Sequence, residues 1–232
     1  MNTDKIFEFQ AIGHIYNDYT GTFGIPRQSG LAADLLSRIV MEPQCRQEEA
    51  FRGINEYDRL WLLWVFSDHI GQGWTPTVRP PKLGGNVRKG VFATRAPFRP
   101  NPIGLSCVKL ERYEPAGGPG PVLWVSGADL MNGTPILDIK PYVPYADAFP
   151  EAQKGFSSAG GDVRCRVEAA VPYPAEMTAR QRAALDEILA QDPKPGYQSD
   201  PDRVYGMFYG QWNVRFRSAD GIVTIVDFKP RR

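Results

Sequence analysis

RLWLLWVF, residues 59–66, is a nearly continuous apolar run, as expected of a strand that is buried on both faces. Outward from it, shorter apolar or alternating segments recur, and turns rich in Gly, Pro and Asn separate them. One strand is predicted over residues 7–15, with a register change near Gly13. Further strands are predicted over residues 36–41, 90–94, 105–112, 122–125, 136–141, 163–171, 213–217 and 222–228.

Helical signals are few. Residues 48–51 can form one or two turns, and the convincing helix spans residues 178–191, where Thr178 and Gln181 have the spacing of a capping box. Many short strands with little helix favour a barrel or strongly bent sheet over a doubly wound fold. The small-residue stretch between Glu151 and Asp162 predicts a domain boundary. We therefore expect a mainly β chain, with a single-sheeted β-barrel over residues 1–155 and a small α+β domain over 156–232.

Composition sets the broad class. Of 232 residues, 42% are hydrophobic and 23% charged, which is typical of a globular protein. The chain has neither a long apolar span nor a basic, apolar leader, so we expect a cytoplasmic protein without a membrane helix. Three cysteines without a CxxC pair and two scattered histidines argue against disulfides and against a metal site. Without a strand–GxGxxG–helix unit, a Rossmann-type nucleotide site is not indicated either.

Charge is unevenly distributed although the net charge is only +1. From His69 to Leu110 the chain has no Asp or Glu and carries seven cations: Arg79, Lys82, Arg88, Lys89, Arg95, Arg99 and Lys109. Interleaved Gly and Pro indicate loops that present these cations, which suits phosphate binding. A solvated basic surface would have the same composition.

Four loop segments are rich in Pro, Gly and polar residues: GIPRQSG at 24–30, GWTPTVRPPKLGG at 73–85, GVFATRAPFRPNPIGLS at 90–106, and NGTPILDIKPY at 132–142. Proline fixes φ, and glycine lets backbone approach a ligand closely. Such rigid loops suit a site that works by positioning a reactant rather than by acid–base exchange. Alternatively, these turns only close a barrel.

Together, these motifs resemble those of the TrmO (TsaA-like) family of tRNA (N6-threonylcarbamoyladenosine) N6-methyltransferases. The resemblance rests on PRQ at 26–28, the two long motifs at 73–86 and 90–106, GTPILDIKPY at 133–142 and, more loosely, DPKPGY at 192–197. It implies a β-barrel that binds S-adenosylmethionine, a small C-terminal domain, and a homodimer with each site near the subunit interface. The implied substrate is adenosine 37 of the tRNA anticodon loop, already carrying a threonylcarbamoyl group.

Carried over by position, the resemblance implies these cofactor contacts: Pro26, Arg27, Gln28, Ser67, Asp68, Arg95, Leu105, Ser126, Gly127, Ala128 and Asp129. The family often has His-Gln where this chain has Ser67-Asp68, which puts those two contacts in doubt. By charge, Asp129 suits the cationic or donor groups of the cofactor, and Arg27 or Arg95 suits its carboxylate. Asp129 could equally cap a turn.

No catalytic residue is assigned. Asp68, Asp138 or the substrate's own carboxylate could accept the N6 proton, and Asp138 could instead only pair with Lys140. For RNA we predict contacts from Arg79, Lys82, Arg88, Lys89, Arg99 and Tyr142, with Trp74 and Tyr145 as further stacking faces. Two other functions stay open. One is a methyltransferase of the same fold with another acceptor, and the other is a non-enzymatic β-barrel that binds RNA.

Overall fold

The structure is a computed structural model that describes residues 6–80, 83, 86–115, 120–158, 164–194, 198 and 200–231. Within these ranges the strands, in chain order, are β1 (Gly13–Tyr16), β2 (Leu36–Met41), β3 (Arg59–Val65), β4 (Thr77–Val78), β5 (Lys89–Gly90), β6 (Ile103–Glu114), β7 (Val122–Ser126), β8 (Pro135–Pro141), β9 (Arg166–Ala169), β10 (Tyr205–Tyr209), β11 (Trp212–Ala219) and β12 (Ile222–Pro230). The α-helices are α1 (Pro144–Asp147) and α2 (Ala179–Leu189).

Six strands close into a barrel in the order β1-β2-β7-β6-β3-β8, and each neighbouring pair is antiparallel. Closure pairs every strand on both sides, so the barrel has no exposed edge. The predicted mainly β barrel is therefore confirmed. The strands β4 and β5 form a separate two-stranded hairpin beside it.

Strand β3 differs from its prediction. Leu60, Leu62 and Trp64 are buried inside the barrel, whereas Trp61 and Leu63, on the other face, are only half-buried. The expectation of burial on both faces was wrong because the barrel interior covers one face alone. On the outer face Trp61 contacts the ring of Tyr142 at a centroid distance of 5.8 Å.

Two other strand predictions also need correction, and two strands were not predicted. The N-terminal strand begins only at Gly13, and Phe7 and Phe9 are exposed. Residues 91–93 form a 3₁₀ turn after the two-residue strand β5, rather than a strand over 90–94. Strand β10 and the hairpin partner β4 were not predicted. Among the Gly-rich turns that the sequence predicts between strands, those at residues 84–86 and 117–120 lie partly outside the described residues.

The C-terminal sheet has the order β10-β11-β12-β9, with β9 parallel to β12 and the other pairs antiparallel. Helix α2 packs on it through Leu185, Ile188 and Leu189. The predicted capping box is present, because the Thr178 hydroxyl accepts from the amide of Gln181 and the Gln181 side chain accepts from the amide of Thr178. Part of the stretch that holds the predicted boundary, residues 159–163, lies outside the described chain.

Two hydrophobic clusters result. One fills the barrel, and the other lies between α2 and the C-terminal sheet. The second cluster also takes in apolar side chains from residues 17–35, which connect β1 to β2: Tyr19, Phe23, Ile25, Ala32 and Leu35. This connection, the 17–35 segment, therefore packs against the C-terminal domain although it precedes most of the barrel in sequence.

Candidate functional site

A cleft of about 410 Å³ lies at one end of the barrel. Five parts of the chain line it: the tip of the 17–35 segment, the end of β3 with the turn after it, the loop before β6, the start of β6, and the connection from β7 to β8. Ile25, Pro26, Trp64, Phe66, Ile103, Leu105 and Met131 give apolar walls, and the ionisable lining side chains are Arg27, Asp68, His69, Arg95, Arg99 and Asp129.

Eight of the eleven residues predicted to contact a cofactor line this cleft: Pro26, Arg27, Gln28, Ser67, Asp68, Arg95, Leu105 and Asp129. They come from separate segments of the chain, so only folding brings them together. Across the cleft, Arg95 Nη1 donates to Gln28 Oε1 at 2.5 Å, which joins the 17–35 segment to the loop before β6. The lining thus combines guanidinium donors, an amide and carboxylates with apolar walls.

The other three predicted contacts, Ser126, Gly127 and Ala128, are buried and are not part of the lining. The hydroxyl of Ser126 donates to Glu111 Oε1 at 2.6 Å, on the side that faces helix α2. The Gly127 carbonyl accepts from the amide of Gly30 at 2.7 Å, and so holds the 17–35 segment against the barrel. These residues support the walls of the cleft, and direct contact with a ligand stays a prediction for them.

Asp129 reaches the cleft from the barrel interior. Its Oδ1 accepts from the hydroxyl of Ser106 at 2.5 Å, and Ser106 Oγ accepts from Trp64 Nε1 at 2.9 Å. Burial raises the pKa of the Asp129 carboxyl above its usual range, while the bond from Ser106 and the charge of Arg95 act in the opposite direction. The carboxyl is therefore costly to ionise unless donors surround it.

Bonds to the C-terminal domain fix the 17–35 segment. The amide of Asp34 donates to Glu187 Oε2 at 2.9 Å, and Arg180 Nε donates to the Asp34 carbonyl at 2.9 Å. At the other end of the segment, Gln181 Nε2 donates to Asp18 Oδ2 at 3.0 Å. Three residues of α2 thus hold the loop that carries Pro26, Arg27 and Gln28.

The predicted RNA contacts occupy different positions. Arg79 and Arg88 are exposed at the β4–β5 hairpin, Lys89 is half-buried there, and Arg88 Nη1 donates to Thr77 Oγ1 at 3.1 Å. Lys82 lies outside the described residues. Next to the hairpin the exposed rings of Trp74 and Phe92 stack at a centroid distance of 6.5 Å. The hairpin therefore presents guanidinium groups beside an exposed aromatic pair.

Arg99, for which a phosphate contact stays a prediction, is tied into its own loop. Its Nη1 donates to the carbonyls of Val91, Thr94 and Ala96 at 3.2, 2.7 and 3.4 Å. The guanidinium therefore closes the loop that precedes β6 and lines the cleft from there. Tyr142 is half-buried against Trp61, whereas Tyr145 is 91% exposed and free to meet a partner.

The two candidate bases can now be separated. Asp138 is absent from the lining; its Oδ2 pairs with Lys140 Nζ at 2.8 Å and its Oδ1 accepts from the amide of Ile139. Asp68 lines the cleft and is exposed there. The sequence interpretation missed Trp64 and His69 as lining residues. Their proximity to Ser67-Asp68 was the available signal.

The cysteines are half-buried and unpaired. Burial raises the pKa of the Cys107 and Cys165 thiols, so they are not activated nucleophiles. Among the described residues, no three Asp, Glu, His or Cys side chains are grouped so as to hold a metal ion. No helix in the described ranges is long and apolar enough to cross a membrane.

A closed barrel with an end cleft of apolar walls and ionisable side chains, and with an appended sheet domain, defines a class of barrel proteins with a small-molecule site. The tRNA-methyltransferase O N-terminal domain family matches residues 14–148, and the TrmO C-terminal domain family matches residues 164–231. The chain belongs to the TrmO family.

Individual relatives agree with this assignment. The tRNA (adenine(37)-N6)-methyltransferase of Escherichia coli strain K12 is 37% identical over 97% of this chain and 99% of its own length. RcsF of Pseudomonas aeruginosa, to which S-adenosylmethionine-dependent methyl transfer has been ascribed, is 43% identical over 84% of this chain and 86% of its own. A crystal structure of TrmO from P. aeruginosa superposes with a TM-score of 0.76 at 32% identity, covering 100% of both chains.

Proposed function

We propose that this chain methylates N6 of adenosine 37 in tRNA, with S-adenosylmethionine as the methyl donor and the threonylcarbamoyl-modified base as the acceptor. Family membership and the named activity of its relatives support the reaction. The observation that carries the proposal is the cleft, which gathers Arg27, Arg95, Leu105 and Asp129 from distant segments beside the exposed basic hairpin. A cytoplasmic location is part of the same proposal.

The residues of the cleft fit the cofactor. Its volume of about 410 Å³ suits a nucleoside-sized ligand. Arg27 and Arg95 can pair with a carboxylate, and Asp129 can accept from amino or hydroxyl groups. Pro26 and Leu105 offer apolar surface. Bound there, S-adenosylmethionine would supply a methyl group activated by a positively charged sulfur.

The protein contributes mainly by orientation. Arg95 and Gln28 hold each other across the cleft, and the stiff loops around them limit the positions open to a bound molecule. Positioning two reactants can lower a barrier by about 7–11 kcal/mol, which suits an in-line displacement. Of the two aspartates considered from the sequence as proton acceptors, only Asp68 lines the cleft. It can receive a proton released at N6.

The RNA would approach over the β4–β5 hairpin. Arg79, Arg88 and Lys89 can meet phosphates there, and the stacked Trp74 and Phe92 give flat apolar surface for an unpaired base. Exposed apolar side chains around the cleft, including Ile103, fit a second copy of the chain, so a homodimer belongs to the proposal.

The direct test measures transfer of labelled methyl from S-adenosylmethionine to tRNA that carries, or lacks, the threonylcarbamoyl group. Label should appear on N6 of adenosine 37 of the modified tRNA only. Equal labelling of both tRNAs would contradict the acceptor, and labelling of neither would contradict the function. Calorimetry then distinguishes the alternatives, since an RNA-binding module releases no heat with S-adenosylmethionine, whereas a methyltransferase for another acceptor does.

A further inference from the structure

We propose that Trp64 and Ser106 are positioning residues that hold the carboxylate of Asp129 in its ligand-binding orientation, and that Gly104 exists to admit the indole of Trp64. The inference deepens the proposed function and rests on it, because it concerns how Asp129 meets the cofactor. None of these three positions was singled out by the sequence motifs as a cofactor contact, and Ser106 does not line the cleft.

The arrangement depends on Gly104, a residue without a side chain. Trp64 of β3 lies directly opposite Gly104 of β6. A Cβ at Gly104 would lie 2.3 Å from Cε2 of the indole, a distance that no real contact allows. The ring therefore lies across the backbone of β6. Ser106 is two residues further along the same face of the strand, within reach of Nε1 at 2.9 Å.

The chemistry of the indole fixes the direction of the hydrogen bonds. The Nε1–H of tryptophan can only donate, so Ser106 Oγ accepts from it and its own proton is free for another partner. That partner is Asp129 Oδ1, at 2.5 Å. Trp64 is 7% and Ser106 1% exposed, so solvent cannot easily replace either bond. Asp129 thus meets a hydroxyl group that is held in the donating orientation.

A donor aimed at a buried carboxyl stabilises its ionised form. Arg95 acts in the same direction, as do the backbone groups of Asp129 and Ser29, against the effect of burial. Tyr19 also interacts electrostatically with Asp129. The other ionisable side chains of the cleft lining are Arg27, Asp68, His69 and Arg99. Removing the Ser106 hydroxyl changes none of these groups, so a change in pH dependence would report on Asp129.

The experiment measures the affinity of the full chain for S-adenosylmethionine by calorimetry from about pH 4 to about pH 8. The variants are Ser106→Ala, Trp64→Phe, Ser106→Thr and, as a matched buried serine, Ser37→Ala. In parallel, carboxyl ¹³C NMR follows the titration of Asp129 in the cofactor-free protein, which needs no activity.

For Ser106→Ala we expect roughly tenfold weaker binding at neutral pH and a titration midpoint of Asp129 that moves to higher pH. Trp64→Phe should move both in the same direction by less, and Ser106→Thr, which keeps the hydroxyl, should restore both. Ser37, whose hydroxyl accepts from Asn17 away from the cleft, should change neither when it becomes alanine.

The outcomes separate the two proposals. If the unaltered protein binds no S-adenosylmethionine at any pH, the proposed function fails. If it binds, but the Ser106→Ala and Trp64→Phe midpoints equal that of the unaltered protein, the positioning role is wrong while the function stands. Should Ser106→Ala not fold, Trp64→Phe, which keeps a ring over Gly104, decides the matter by the same criterion.

Discussion

The hydrophobic cluster inside the barrel (the barrel cluster) and the cluster between α2 and the C-terminal sheet (the C-terminal cluster) contribute to the cleft in different ways. The barrel cluster is built from paired strands. Its residue Trp64 lines the cleft and donates a hydrogen bond to Ser106, which in turn donates to Asp129. The C-terminal cluster has no residue of its own sheet in the lining, yet it contains Tyr19 and Leu35 and so holds the wall that carries Arg27. One cluster thus forms the site directly, and the other acts on it through a loop.

Backbone geometry shows how closely the loop is fitted to the C-terminal sheet. Gly24 has φ +93°, in the left-handed region where glycine is favoured, and a Cβ there would lie 2.6 Å from Cε of Met207 in β10. Gly127 has φ +75° and lies against Gly30 on the barrel side. The loop is therefore shaped by both clusters, and its position in the cleft depends on both.

The largest expected effects come from shortening one leucine in each cluster. Leu35→Ala and Leu123→Ala each remove a side chain that is at most 1% exposed, so each should lower the free energy of unfolding by about 2–5 kcal/mol. Leu35→Ala should also weaken binding of S-adenosylmethionine, because it loosens the 17–35 segment. Denaturant unfolding and calorimetry, at a temperature where both variants are folded, measure the two effects.

Leu123→Ala is the control for general destabilisation, since Leu123 lies in the barrel away from the lining. If both variants lose the same affinity per unit of lost stability, the two clusters do not differ in their effect on the site. Unchanged affinity in Leu35→Ala would show that two hydrogen bonds to the barrel, from the amide of Gly30 to the Gly127 carbonyl and from the amide of Cys107 to Ser29 Oγ, hold the loop without help.

Much of the barrel could be predicted from the sequence. The strand over residues 36–41 has the predicted limits, because a short, mainly apolar run there is followed by Pro43, and its burial alternates along the strand. Residues 91–93 were misassigned since local propensity cannot show that the Arg99 side chain will satisfy the carbonyls of Val91 and Thr94. Strand β10, YGMFY, alternates in burial, but Gly206 within it, Gly210 after it and the nearby prolines resemble a loop.

The sequence predicted which residues line the site better than it predicted the packing and hydrogen bonds that hold them in place. The family motifs predicted Arg27, Arg95 and Asp129 as contacts, and in the structure all three line one cleft. The packing of the 17–35 segment on α2 could not be predicted, because the contacts from Asp34 to Glu187 and Arg180 join residues about 150 positions apart. The bonds between Trp64, Ser106 and Asp129 likewise depend on register across two strand pairs.

A smaller effect tests whether the loop held by the C-terminal cluster serves the cofactor alone. Arg27→Ala should weaken binding of S-adenosylmethionine by about 1.5–3 kcal/mol, the range for a hydrogen bond to a charged group, and leave tRNA affinity unchanged. Arg88→Ala, on the hairpin, should show the reverse and lower the salt dependence of tRNA binding by about 0.7–0.9 in logarithmic slope. Calorimetry and filter binding at several salt concentrations measure both.

Loss of both affinities in both variants would mean that the cleft and the hairpin are one surface rather than two. The two arginines are suitable for this contrast because each is exposed, so neither substitution leaves a cavity. A circular-dichroism melt of each variant provides the control for folding.

The smallest effect concerns the link between α2 and the barrel. Arg180 Nη2 pairs with Glu111 Oε1 at 3.1 Å, and the Ser126 hydroxyl donates to the same oxygen. The hydrogen bond from Ser126 and, after it, that from Arg180 hold the pKa of the Glu111 carboxyl below its usual range against the opposing effect of burial. Because Arg180 is 40% exposed, Arg180→Ala should lower the free energy of unfolding by only about 1 kcal/mol or less.

The pH dependence of that small difference identifies its cause. A carboxyl whose pKa is lowered on folding stabilises the protein above its unfolded pKa, and this contribution is lost as the pH falls through the folded value. The difference between Arg180→Ala and the unaltered chain should therefore be present at neutral pH and shrink in acid. Arg166→Ala is the control, since Arg166 pairs with Glu168 inside one strand of the C-terminal sheet. A difference that stays constant down to acid pH would assign the effect to the bond from Arg180 Nε to the Asp34 carbonyl, because that acceptor does not titrate.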